Sequence, residues 1–218
     1  MKKTLLALVL VMMNFRLLQA QGTFQNLDFE SAQLVFIDSP TNHLIATTSA
    51  LPGWSAFSGT NQLAHVRYGI GGIVPPVWLS SQTNTGAING SFSVGIGEIT
   101  GLYTGSISQT ALVPADAQSL LFKSGTGISG ESLTVSLGGQ DLSYIAISNA
   151  LNYTLYGADI SSFAGHTETL TFMGGSGGTL LDDIQFSQIA VPEPSAISLI
   201  WLGSGVLFYV RKRRRVWL

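Results

Sequence analysis

The stretch Leu133-Thr134-Val135-Ser136-Leu137 alternates apolar and hydroxyl side chains at every step. Successive side chains of an extended strand point to opposite faces, so Leu, Val and Leu share one face and Thr and Ser the other. The same period returns in Ser91-Phe92-Ser93-Val94-Gly95-Ile96, Thr169-Leu170-Thr171-Phe172 and Ile184-Gln185-Phe186. Turn residues separate these runs: Asn89-Gly90, Gly138-Gly139-Gln140-Asp141 and Gly174-Gly175-Ser176-Gly177-Gly178. No segment between Gln21 and Ala190 carries an apolar period of 3.6 over a helical length. The body therefore reads as all-β, with about eight to ten strands at the spacing of a sandwich. Residues 21–190 are long enough for one domain with its own core.

The charges of the 218-residue chain are unevenly placed. Only 10% of its residues are charged, against roughly 25% in an ordinary soluble domain. Lys2, Lys3, Arg16 and the run Arg211, Lys212, Arg213, Arg214, Arg215 lie at the ends, leaving Arg67 and Lys123 as the cations of the body. Eleven carboxylates face those two, a net charge of −9 for residues 21–190. Affinity for a phosphate backbone is built from Lys and Arg, so nucleic-acid binding is excluded. With no cysteine in the chain, a disulfide framework, a thiolate zinc site and a cysteine nucleophile are excluded as well.

Both ends read as addresses. In residues 1–20, Lys2 and Lys3 precede the apolar stretch Thr4–Met13, and Ala20 is a small residue before a cut, the pattern of a secretory signal peptide. In residues 191–218, Val191-Pro192-Glu193-Pro194 leads into the uncharged run Ser195–Val210 and then into five cations. As a helix, residues 195–210 span about 24 Å, a short crossing of a hydrocarbon core about 30 Å thick. The cations Arg211 to Arg215 hold their end in the cytoplasm, so Pro192, Glu193 and Pro194 emerge on the outer side with the body. Each proline fixes its own φ and extends the residue before it, leaving Glu193 in a readable, non-helical segment.

These three parts in this order resemble the PEP-CTERM sorting signal of exported proteins in Gram-negative bacteria that make exopolysaccharide. The resemblance implies recognition of Pro192-Glu193-Pro194 by a membrane-embedded exosortase, with Arg211, Lys212, Arg213, Arg214 and Arg215 as the membrane stop. Val216-Trp217-Leu218 extends past the cations, where most members end; Trp217 suits the membrane interface. The implied route runs through the secretion machinery and an inner-membrane intermediate to the cell surface or extracellular matrix.

A second resemblance covers the body. Asn26-Leu27-Asp28-Phe29-Glu30, Pro52-Gly53-Trp54 and Leu181-Asp182-Asp183-Ile184 resemble the galactose-binding-like jelly rolls, a fold shared by carbohydrate-binding modules. Ser108-Gln109-Thr110, Val113-Pro114-Ala115, Leu120-Leu121-Phe122 and Leu155 to Ile160 fit the middle and late parts of such domains. The resemblance implies a jelly-roll β-sandwich whose first and last strands lie together and share a structural Ca2+, with Glu30 and Asp183 as ligands. Asp182 shares parity with Ile184 and Phe186, so Asp183 is the favoured partner of Glu30. The alternative is that these acids are solvated or bond loop amides.

Catalytic signals are sparse. His43, His65 and His166 have no second histidine at metal-ligand spacing. The glycines of 174–178 lack a Lys and pass from one strand only into another, where a nucleophile elbow or a phosphate cradle leads into a helix. Asp182 and Asp183 are adjacent, the wrong arrangement for flanking a glycosidic bond. The chain thus reads as non-enzymatic, and its resemblance to PEP-CTERM proteins implies a place in the polysaccharide or biofilm layer. A carbohydrate-binding module with a defined glycan is the alternative, and a glycan hydrolase comes third. For sugar stacking the candidates are Trp78, Tyr68 and Tyr103, while Trp54 reads as a core residue.

Overall fold

The computed structural model of the chain describes residues 22–37, 43–69, 75–84, 86–99, 103–126, 133–175 and 177–191. The segment 1–20 and the tail from Pro192 onward, which carry the export and sorting readings, lie outside the described residues.

The first strands are β1 (Leu44–Ala46), β2 (Ser55–Ser58), β3 (Asn61–Gln62), β4 (His65–Tyr68) and β5 (Val77–Ser81). They are followed by β6 (Phe92–Ile96), β7 (Glu98–Ile99), β8 (Tyr103–Leu112), β9 (Ser119–Thr126) and β10 (Leu133–Leu137). The last are β11 (Gln140–Asp141), β12 (Tyr144–Asn149), β13 (Thr154–Asp159), β14 (Thr167–Gly174) and β15 (Thr179–Ser187). Helix among the described residues is confined to one α-turn, Thr47–Ala50, and one 3-10 turn, Ser161–Phe163. This is more strands than the alternation predicts, because β1, β3, β7 and β11 have only two or three residues each. A strand that short shows no period.

The strands form two sheets. One has eight strands in the order β1-β4-β5-β6-β15-β9-β13-β12; the other has seven, ordered β11-β10-β14-β8-β2-β3, with β7 against β8. Within the eight-stranded sheet β4 and β5 run parallel, and its other pairings are antiparallel. The sheets pack face to face through alternate residues. Val135, Ile107, Leu170 and Phe172 come from one sheet, and Val94, Ile96, Leu120, Phe122, Leu181 and Ile184 from the other. Phe122 meets Phe172 across the interface with ring centroids 5.5 Å apart. Burying each such side chain contributes about 1.5–3 kcal/mol. The all-β expectation holds, and the two packed sheets make it a β-sandwich.

Strand β10 buries Leu133, Val135 and Leu137 and turns Thr134 and Ser136 outward. Its partner β11 follows after a two-residue turn, with Leu137 opposite Gln140. Gly138 (φ 60°) and Gly139 (φ 77°) supply the positive-φ pair that a tight hairpin demands. Gln140 and Asp141, read from the sequence as turn, therefore belong to the strand. Trp54 is in the core, as expected: its ring packs on Phe29 and Phe172, and its Nε1 donates to the Asn26 carbonyl at 3.1 Å.

Candidate functional site

Two rows of side chains stand on the outer face of the eight-stranded sheet. Trp78, Gly95, Leu180 and Gly125 are aligned across β5, β6, β15 and β9. Ser80, Ser93, Asp182 and Lys123 form the next row. The Trp78 indole lies over Gly95, where a Cβ would come within 1.8 Å of Cε2. Ile88, from the β5–β6 loop, closes over Trp78 and Leu180 to make a second, smaller core with Tyr153 at its side. Glycine at 95 leaves room for the ring, and the loop keeps the ring dry.

Polar side chains hold that loop down from beneath and beside it. Asp182 Oδ2 accepts from the Asn89 amide at 3.0 Å and from Ser93 Oγ at 2.7 Å. Its Oδ1 accepts from the Asp183 amide at 2.7 Å. Glu30 Oε1 accepts from the amides of Ser91 and Phe92, at 2.8 and 2.9 Å. Asn152 Nδ2 donates to the Ile88 carbonyl at 3.2 Å, and Ser80 Oγ to Gly86 at 2.6 Å. Asp182 is 1% exposed. Burial pushes its carboxyl up to about 6, against the pull of the Ser93 hydroxyl and the Asn89 and Asp183 amides.

The sequence argument from strand parity misplaces Asp182. A register shift between Asp182 and Gln185 breaks the alternation, with Asp183 at φ 48°. Asp182 therefore shares the outer face with Leu180, while Ile184 returns to the core. Asp183 lies beside the bulge, its Oδ2 2.7 Å from Lys123 Nζ and its Oδ1 accepting from Gln185 at 2.8 Å. Burial alone would raise its pKa, but the Lys123 ammonium and the Gln185 amide hold it below the usual range. The same bond to Asp183 raises Lys123, whose Nζ also stands 4.9 Å from the Tyr153 ring centroid.

Glu30 is on a turn rather than on a first strand, since residues 27–31 make successive turns. That segment still meets the last strand, through the Ile184 amide and the Leu27 carbonyl at 2.9 Å. Glu30 thus bonds loop amides and Asp183 a lysine. Among the described residues no three His, Asp or Glu side chains gather as a metal group. His43, His65 and His166 are all exposed.

The three aromatic candidates are not brought together. Trp78 is 0% exposed and offers no face for stacking, which corrects the sequence expectation. The apolar outer face on which it stands was not visible in the sequence. Tyr68 packs against the main core on the opposite face of the same sheet, and its hydroxyl is 2.7 Å from Ser81 Oγ. Tyr103, 54% exposed, stands on β8 in the other sheet. A different feature went unnoticed in the sequence. At the tip of the β12–β13 hairpin, a half-open cleft of about 180 Å³ is lined by Ser124, Asn149, Asn152, Tyr153, Thr154 and Tyr156, among others. Thr154 Oγ1 donates to Asn149 Oδ1 at 2.8 Å and orients that amide.

Such a site can hold and orient a neutral, hydroxyl-rich molecule. The covered Asp182 presents no lone pair to a substrate, and Asp183 is neutralised by Lys123.

No protein-family model matches the chain, and no curated protein matches it. Among solved structures it is similar to the enzymatically active domain of tailspike protein 4 of bacteriophage CBA120, at 11% identity and a TM-score of 0.40. The match covers 67% of this chain and 21% of that one. A likeness at that level says nothing about activity.

Proposed function

We propose that this chain is an exported, non-enzymatic protein of the cell surface or extracellular matrix, sorted through its C-terminal tail and associated with exopolysaccharide. The observation that carries the reading is the fixed order of Pro192-Glu193-Pro194, the uncharged run 195–210 and the cations 211–215, behind a body of net charge −9. The jelly-roll, galactose-binding-like form of the sandwich belongs to the same proposal and is supported by the bond between Leu27 and Ile184. The hydroxyl-rich outer face of the seven-stranded sheet suits contact with hydrated glycans. Mass spectrometry of the exported protein's C-terminus, in cells with and without the exosortase, tests the sorting step. A shortened C-terminus in the first cells alone supports it, and an unchanged tail in both ends it.

A carbohydrate-binding module is the second reading, favoured by the cleft beside Tyr153. Saturable binding on a glycan array, lost on Tyr153→Ala, would establish it. Calcium at Glu30 and Asp183 would have to compete with Lys123 for the Asp183 carboxylate and would approach Glu30 through Oε2, since Oε1 holds two amides. Melting with and without EDTA tests it, and an unchanged midpoint retires both residues as ligands.

A further inference from the structure

At its β12 side, the outer face of the eight-stranded sheet carries an apolar patch that nothing in the described chain covers. Ile147, Val191 and Leu121 converge over Gly157, where a Cβ would lie 2.6, 2.7 and 3.1 Å from their methyl carbons. Ile147 is 47% exposed, Ile189 is 78% exposed, and Leu151 at the hairpin tip is fully exposed. At the other side of the same face, the β5–β6 loop seals Trp78 and Leu180. A bare apolar patch on a sheet whose other half is covered marks a contact surface.

The point where the chain departs identifies the partner. Val191 is the last described residue and sits within the patch. The uncharged run begins at Ser195, four steps on, which an extended chain covers in at most about 14 Å. When that run spans a bilayer, this is the face of the sandwich held against it.

We infer that Ile147, Leu151, Ile189 and Val191 form a lipid-contacting surface, on which the sandwich rests against the outer leaflet before its tail is processed. The inference rests on the membrane-spanning reading of the tail. The contact is apolar: Lys123 is committed to Asp183, and the body carries a net charge of −9. It therefore needs no anionic lipid and reaches only the headgroup–acyl boundary.

The absence of cysteine from the chain makes every single-cysteine variant uniquely labelled. The full chain is inserted into phosphatidylcholine vesicles containing nitroxide-bearing lipid. It carries one environment-sensitive fluorophore at Ile147→Cys, Leu151→Cys or Ile189→Cys. Controls are Thr134→Cys and Thr171→Cys on the other sheet and Ser204→Cys in the tail. Lipid contact quenches the three patch labels at least about twofold more than the labels at 134 and 171, with the Ser204 label quenched as well. Quenching at Ser204 without quenching in the patch overturns the lipid surface and leaves the tail reading standing. An unquenched Ser204 label sinks the tail reading and this inference with it. Patch labels that ignore lipid but self-quench as protein density rises would assign the patch to a second copy of the chain, which also overturns it.

Discussion

The two outer faces of this sandwich are built on opposite plans. On the seven-stranded sheet Thr134, Ser136, Ser106, Ser108, Thr169 and Thr171 are half-buried hydroxyl residues. Thr110 and Thr169, register partners, bring their hydroxyls within 2.7 Å of each other. Met173, 41% exposed, and the half-buried Phe57, both opposite Ser106, are large apolar exceptions. On the eight-stranded sheet the corresponding layer holds Trp78, Leu180, Leu121 and Ile147. A hydroxyl face needs no cover, because water satisfies it. An apolar face must be covered, and among the described residues a loop covers one half of it. The lesson is that a second core forms wherever the chain lays a loop over an apolar outer row and anchors it with carboxylates.

The largest effect should come from emptying the covered half. Trp78→Ala removes a fully buried indole and should cost about 3–5 kcal/mol in urea unfolding. Trp78 Nε1 is buried without a partner, so Trp78→Phe forfeits no hydrogen bond and should cost well under half of that. Equal losses for the two variants would show that the loop is not packed on the ring.

The buried anchor comes next. Folding raises Asp182 from 3.8 to about 6. The stability this contributes is complete below pH 3.8 and is lost as pH rises through 6. At about 1.36 kcal/mol per pKa unit the loss is roughly 3 kcal/mol. Urea titrations at pH 4 and pH 7.5 should show it as a difference between the native chain and Asp182→Asn, whose profile is flatter across that window. Parallel profiles would place Asp182 in contact with water.

Gly95→Ala should follow, at about 1–3 kcal/mol, because its Cβ drives into the Trp78 ring. Combined with Trp78→Leu, it should cost less than the two separate losses added together. Strict additivity would deny the contact. The smallest effect belongs to the other sheet. Thr169→Ala should stay within about 0.5 kcal/mol in the same assay, since water replaces the Thr110 partner. A loss as large as that of Gly95→Ala would erase the contrast between the faces.

Much of the main core was legible. The alternation in 133–137 and 169–172 assigns Leu133, Val135, Leu137, Leu170 and Phe172 to the interior, where they are buried. The positive-φ hairpin at Gly138-Gly139 was legible as a turn, though not its length. The candidate site was legible only in part. Asp182 and Asp183 stood out as a pair, but parity put Asp182 on the wrong side, because a bulge leaves no mark in an alternation of two. Trp78 was a platform candidate because it follows the Pro75-Pro76 turn; the loop that covers it is Gly-, Asn- and Ser-rich, a composition that reads as turn rather than as lid.

The sequence by itself determined that the body is strand-built, that its apolar residues alternate into a shared core, and that its cations are gathered at the ends. These are properties of neighbours along the chain: period, turn chemistry and charge order. Only the tertiary structure decided which acid is buried, which aromatic is sealed, and which half of an outer face a loop covers. Those outcomes depend on residues far apart in sequence, Asn89 over Asp182 and Ile88 over Trp78. Burial is set by what the fold lays on top of a side chain, and no local pattern carries that information.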